Sequence, residues 1–137
     1  MASFVKFNTF AEAVYEKVHN LGSDQLVAFL TNTAPTVATD VGISNITEIS
    51  YTNCSSRNIT TSSSAQTGGT YKLVLTDLVL TASGGTVGPF RYAGIYNDTA
   101  ASDELVGYWD YGSSITLQAG ETFTMDFDGS AGVLTHA

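Results

Sequence analysis

Helical periodicity occurs once in this chain. Phe7, Phe10, Val14, Val18 and Leu21 recur at spacings of three and four, which lines one face of an α-helix. Thr9 with Glu12 three residues on has the form of a capping box. Lys17 and His19 fall where positive charge suits a helix C-terminus, and Gly22 is a natural left-handed stop. The pattern predicts a helix over 10–20, with a short N-terminal arm before it, the two together spanning 1–21. The helix either seals one end of the molecule or packs against a neighbouring subunit.

After Gly22 every apolar segment reads as strand. The candidates are Gln25–Thr31, Ile46–Tyr51, Tyr71–Thr81, Phe90–Tyr96, Leu105–Tyr111, Ser114–Leu117 and Thr122–Phe127. Alternation assigns faces: Phe90, Tyr92 and Tyr96 against Arg91, Ala93 and Ile95; Leu105, Trp109 and Tyr111 against Tyr108 and Asp110; Phe123, Met125 and Phe127 against the acidic and threonine side chains between them. Gly84-Gly85 suggests a hairpin through Ser83–Gly88. Pro35–Ile43 and the Ser/Thr-rich stretch Asn53–Gly69 read as long loops, the second a candidate for ordering on a partner. The expected fold is mainly β: an antiparallel, jelly-roll-like β-sandwich over about 25–134 with one N-terminal α-helix, a single domain over 1–137.

Charge narrows the partners. Five basic residues stand against thirteen acidic ones, for a net charge of −8, and Lys6, Lys17, Arg57, Lys72 and Arg91 are scattered. Affinity for nucleic acid depends on clustered Lys and Arg displacing counterions, so none is expected. The opening residues lack the apolar run of a signal peptide, and no stretch approaches the roughly 18 apolar residues of a membrane span, so synthesis in a cytoplasm and no membrane partner are expected. The single cysteine, Cys54, precludes an internal disulfide.

A catalytic reading finds little to build on. A nucleophile needs a base held by a third group, and the two histidines are His19 at the helix end and His136 beside the C-terminal residue. Asp103-Glu104 and the Asp126/Asp128 pair read as solvated turn and strand-face carboxylates. The chain is expected to be no enzyme, with no catalytic residues, no cofactor and no metal. The aromatic cluster of Tyr92, Tyr96, Tyr108, Trp109 and Tyr111 is more informative: Trp109 and Phe90 suit a core, and the tyrosines suit a rim, a protein interface or a sugar-stacking platform.

Several phrases also occur in a suggestive order: His19–Leu26, Leu30–Pro35, Thr70–Leu73, Thr81–Gly85, Gly88–Tyr92 leading to Tyr96–Thr99, and Gly107–Gly112 running into Gly120–Phe123. Across about 4–134 the chain resembles small structural proteins of tailed bacteriophages, of the kind that decorate or cement the head. The resemblance implies a virion protein on the outer capsid surface that ties major capsid protein subunits together. It also implies a homo-oligomer, trimer favoured over dimer. The interface is then expected at the arm Ala2–Asn8 and the 53–69 loop, with Phe4, Lys6, Phe7, Arg57, Tyr96, Tyr108 and Trp109 as contact residues. A tail, connector or fibre component, or a carbohydrate-binding β-sandwich using Tyr96, Tyr108 and Trp109, are the other readings.

Overall fold

The computed structural model describes residues 2–137. The chain runs β1 (Phe4–Lys6), α1 (Thr9–Tyr15), β2 (Leu26–Thr31), a 3-10 turn at Ile43–Asn45, β3 (Asn58–Ile59), β4 (Thr61–Thr67), β5 (Thr70–Leu75), β6 (Leu78–Thr81), β7 (Val87–Asn97), β8 (Leu105–Leu117), β9 (Thr122–Met125) and β10 (Leu134–His136). All strand pairs are antiparallel. One layer is a five-stranded sheet in the order β1-β8-β7-β2-β3; a three-stranded sheet, β10-β5-β4, and a two-stranded ribbon, β6-β9, pack against it. The fold is the mainly β, sandwich-like one that alternation predicts.

Every residue of β2 is buried, which alternation alone does not explain. Leu26, Ala28 and Leu30 enter the main core with Ile95 and Val106 from the same sheet, Leu73 and Leu75 from β5, and Leu80 and Met125 from the ribbon. Val27 and Phe29, on the reverse face, join Phe7, Tyr96 and Leu105 in a second cluster roofed by Val37, Ile43 and Ile46. The long connection after β2 is thus a cover. It makes the centre of the sheet apolar on both sides, as in sheets covered on both faces.

Beyond Val27, β3 no longer pairs with β2, and the connection substitutes for the missing strand. Ala28 N–H donates to Arg57 O (2.9 Å) and Ile49 N–H to Leu30 O (3.1 Å). Arg57 Nη1 donates to Ala28 O (2.6 Å), and Leu30 N–H donates to the Tyr51 hydroxyl (2.8 Å). Arg57 lies 3.7 Å over the Tyr51 ring, and Tyr51 donates to Glu48 Oε1 (2.6 Å). Buried backbone polar groups need partners, so these side chains meet a structural requirement. The expected strand Ile46–Tyr51 is absent for this reason: only a single bridge, Glu48 to Thr31, forms there.

Four other expectations are corrected. The helix is a shorter one than 10–20, ending at Tyr15; Asn8 is its N-cap and makes no side-chain cap. Lys17 takes the left-handed stop position (φ 67°), with Val18 N–H returning to Ala13 O (2.8 Å) and Lys17 N–H to Val14 O (3.3 Å), a Schellman closure. Gly22 lies beyond it with no positive φ. Tyr71–Thr81 is two strands, because Thr76-Asp77 carries the chain from one sheet to the other, with Phe127 N–H donating to Asp77 Oδ1 (2.8 Å). No hairpin joins the segments around Ser83–Gly88, since β6 pairs with β9 and β7 with β2 and β8.

The stretch 53–69, expected as a loop, holds β3 and most of a hairpin. β4 pairs with β5 from Thr61↔Leu75 to Thr67↔Thr70, turning through Gly68 and Gly69 at φ 61° and 87°. Two successive positive φ values match the twist of a two-residue hairpin, and Gly adopts them without strain.

Bulges also reassign faces. A register shift between Phe90 and Tyr92 puts Phe90 in the main core with Ala93 and Ile95, opposite Tyr96. A second shift near Val106 puts Leu105 with Tyr108 on the reverse face, away from Trp109. An odd number of extra residues, three on β8 at the first shift and one at the second, inverts the alternation between the paired strands.

Candidate functional site

A cleft of about 870 Å³ lies where three separate parts of the chain meet. One wall is the end of α1 and the turn Asn20–Asp24; another is the β4-β5 hairpin with His136 of β10; the third is the β7-β8 connection at Thr99–Ala101 and Glu104. The Asn20 turn is locally built: Asn20 N–H donates to Asp24 Oδ2 (2.8 Å) and Gly22 N–H to Asn20 Oδ1 (3.2 Å). Such side-chain-to-backbone bonds are what Asn and Asp supply in turns.

The floor of the cleft is organised by Asn97, fully buried at the end of β7. Its Oδ1 accepts from Thr99 N–H (3.0 Å) and Ala100 N–H (3.1 Å). That fixes the amide, so Nδ2 is the donor to Asp24 Oδ2 (2.7 Å) and to His19 Nδ1 (3.0 Å). His19 Nδ1 is therefore an acceptor, and the neutral ring carries its proton on Nε2. His19 is 5% exposed, and Nε2 has no hydrogen-bond partner among the described residues. The Phe10 ring packs 5.1 Å away. Burial lowers the His19 pKa below its ordinary value, and the Glu104 and Asp24 carboxylates oppose that shift.

Around this floor the polar groups engage one another. The Tyr15 hydroxyl meets His136 Nε2 (2.8 Å), Tyr71 pairs with Ser64 Oγ (2.8 Å), and Glu104 Oε2 accepts from Ser102 N–H (3.3 Å). The two histidines thus share one cleft, but neither stands beside a nucleophile in a charge-relay order. Cys54 lies elsewhere, half-buried, bridging to Ala82, with burial raising its thiol pKa. Asp128 is committed to its own turn: its Oδ1 accepts from Ser130 and Ala131 N–H (2.8 Å each), which lowers its pKa. Among the described residues, no group of three or more His, Cys, Asp or Glu is placed to hold a metal ion.

The residues expected at an interface divide sharply. Lys6 is exposed, and Phe4 and Trp109 are half-buried against each other with ring centroids 4.8 Å apart. These two rings and Tyr111, Phe127 and Val133 line a smaller groove of about 260 Å³ between β1 and β9. Tyr108 is half-buried on the opposite face, stacked near Phe7 and Tyr92. Phe7 is fully buried and Tyr96 nearly so, both in the second core cluster, so they hold the chain's own fold. Arg57 is spent on Ala28, Glu48 and Tyr51. Tyr96, Tyr108 and Trp109 do not form one sugar-stacking platform, because Trp109 faces the main core and the tyrosines face the other side.

The residues that sequence reading missed are Asn97 and Asp24. The run Asn97-Asp98-Thr99-Ala100 is legible as a side-chain-capped turn. Its partnership with His19, 78 residues away, depends on topology and leaves no local signal. Comparison with protein-family models, with curated proteins and with solved structures finds no match.

Proposed function

We propose that this chain is a structural binding protein of a bacteriophage virion. It docks on the outer surface of the head and stabilises the shell of major capsid protein, without catalysis and without a cofactor. The ordered phrases between His19 and Phe123 that resemble phage head-decoration proteins support this reading. The structural observation that carries it is the outer edge of β1. This strand is the last of the five-stranded sheet and, among the described residues, is paired only on its inner side, to Gly107–Trp109 of β8. Val5 is 37% exposed, and Lys6 is exposed beside it. Phe7 N–H donates inward to Val106 O (3.2 Å), so Lys6, one residue back, points its N–H outward, as alternate residues of a strand do. An unpaired edge of this kind accepts a strand from a partner.

In this role β1 is the contact edge, with Lys6 and the Phe4–Trp109 groove beside it. The protein assembles as a homo-oligomer, trimer favoured over dimer, and repeated copies multiply weak individual contacts. Binding to the assembled shell stabilises that shell by mass action. The test is incubation of the purified protein with expanded capsids that lack it, followed by sedimentation and microscopy. Saturable binding at local symmetry positions, with raised resistance of the capsids to heat, is the expected result. Absence of binding to intact expanded shells overturns it and turns attention to tail and connector assemblies.

A further inference from the structure

We propose that His19, Asn97 and Asp24 form an acid-operated latch: protonation of His19 releases the segment 17–24 from the end of β7 and opens the cleft beside it.

The argument rests on donors and acceptors. In the neutral state His19 Nδ1 accepts from Asn97 Nδ2 at 3.0 Å. A protonated imidazole carries a hydrogen on both nitrogens, so its Nδ1–H would face the Asn97 NH2, donor against donor. Asn97 has no useful response. Turning its amide would aim the NH2 at the Thr99 and Ala100 N–H groups that Oδ1 now accepts, and would set Oδ1 against the Asp24 carboxylate. A buried donor facing another donor loses its hydrogen bond and keeps its desolvation penalty. The ring therefore leaves the joint.

The surroundings set the direction of release. Asp24 from the adjoining turn and Glu104 from the entry to β8 are the carboxylates acting on the ring. Phe10 of α1 offers it only an apolar face. Lys17 and Tyr15 from the helix end, Tyr71 from β5 and His136 from β10 line the same cleft. Both carboxylates act on the ring in the sense that favours its charged form, so they attract an imidazolium out of the joint. Burial keeps the closed ring neutral, and the released ring regains ordinary histidine basicity. With one proton linked, opening becomes more favourable by up to about tenfold per pH unit below about pH 6.5.

Amide hydrogen exchange, corrected for the intrinsic pH dependence, reads this directly at pH 7.5 and 5.5. Protection at Thr99, Ala100 and Asn20 is expected to fall by up to about tenfold at the lower pH, while Ala28–Leu30 in the sheet centre stays protected. In His19→Asn, whose side-chain oxygen replaces Nδ1 as acceptor, the loss disappears; in His136→Asn it remains. Ring-nitrogen NMR of the unaltered protein provides a readout that needs no variant, with a neutral Nε2–H tautomer at pH 7.5. Protection at Thr99 and Ala100 that is independent of pH overturns the latch. So does a His19→Asn protein that keeps the full pH response, or an Nδ1–H tautomer at pH 7.5.

Discussion

Gly94 and Gly107 lie where aromatic rings press on the five-stranded sheet from opposite sides. A Cβ at Gly94 would overlap the Phe29 ring, and one at Gly107 would overlap Phe4. Phe29 is fully buried beneath the covering connection and has nowhere to move, whereas Phe4 is half-buried at the sheet edge. Gly94→Ala is therefore expected to cost about 1–3 kcal/mol, the range for overpacking a filled core, and Gly107→Ala less. Urea unfolding checks this as a lower midpoint at unchanged slope. Tyr51 is the second decisive residue. Tyr51→Phe leaves the Leu30 N–H without its acceptor and is expected to cost about 1–3 kcal/mol. Burial, followed by the hydrogen bond to Glu48, raises the Tyr51 pKa well above the ordinary tyrosine value. The sign follows: its contribution is complete below about pH 10, and is lost as pH rises further, because only the unfolded chain ionises there. Stability measured from pH 9 to 11 should fall less steeply in Tyr51→Phe than in the unaltered protein.

The elements show why some of this was legible and some was not. β9 was readable because Phe123 and Met125, with Phe127 just beyond, alternate against wet neighbours without a bulge. β7 and β8 were readable as strands, but their faces were not, because the extra residues near Phe90 and Val106 are chosen by pairing across the sheet. The Ser/Thr run 61–67 has no apolar alternation, as most of this edge strand is exposed, so it reads as a loop in the sequence although it forms a hairpin. The helix was overextended because Val18 and Leu21 continue its spacing while the backbone has already turned at Lys17. Tertiary packing, with Leu21 in the main core, overrides a weak local preference there. A lysine in the left-handed region carries strain that glycine does not. Lys17→Gly is accordingly expected to stabilise the protein by about 0.5–1 kcal/mol, seen as a higher thermal midpoint with unchanged far-UV circular dichroism. A lower midpoint would mean that the Lys17 side chain does more for the cleft wall than its backbone strain costs.

At the scale of the whole molecule, the N-terminal arm has two roles that a deletion would confuse. Phe7 is a core residue, and Phe4 closes the sandwich against Trp109, so removing 2–8 strips the fold as well as any docking edge. Phe7→Ala alone is expected to cost about 3–5 kcal/mol. Loss of capsid binding in such a variant would not distinguish an interface from a damaged core. Lys6 separates the two. Its N–H points away from β8, its side chain is exposed, and proline is tolerated on the outer edge of a sheet where no ladder bond is donated. Lys6→Pro removes the outward donor and leaves the inward ladder of Val5 and Phe7. If a partner strand adds to β1, this variant keeps its unfolding free energy within about 1 kcal/mol of the parent and loses shell binding by tenfold or more, roughly what one interfacial hydrogen bond and the clash of the ring would remove. Unchanged binding by a stably folded Lys6→Pro protein would exclude strand addition at β1. Docking would then have to use another surface, and Val79, 50% exposed on β6 at the edge of the two-stranded ribbon, would be the next position to alter.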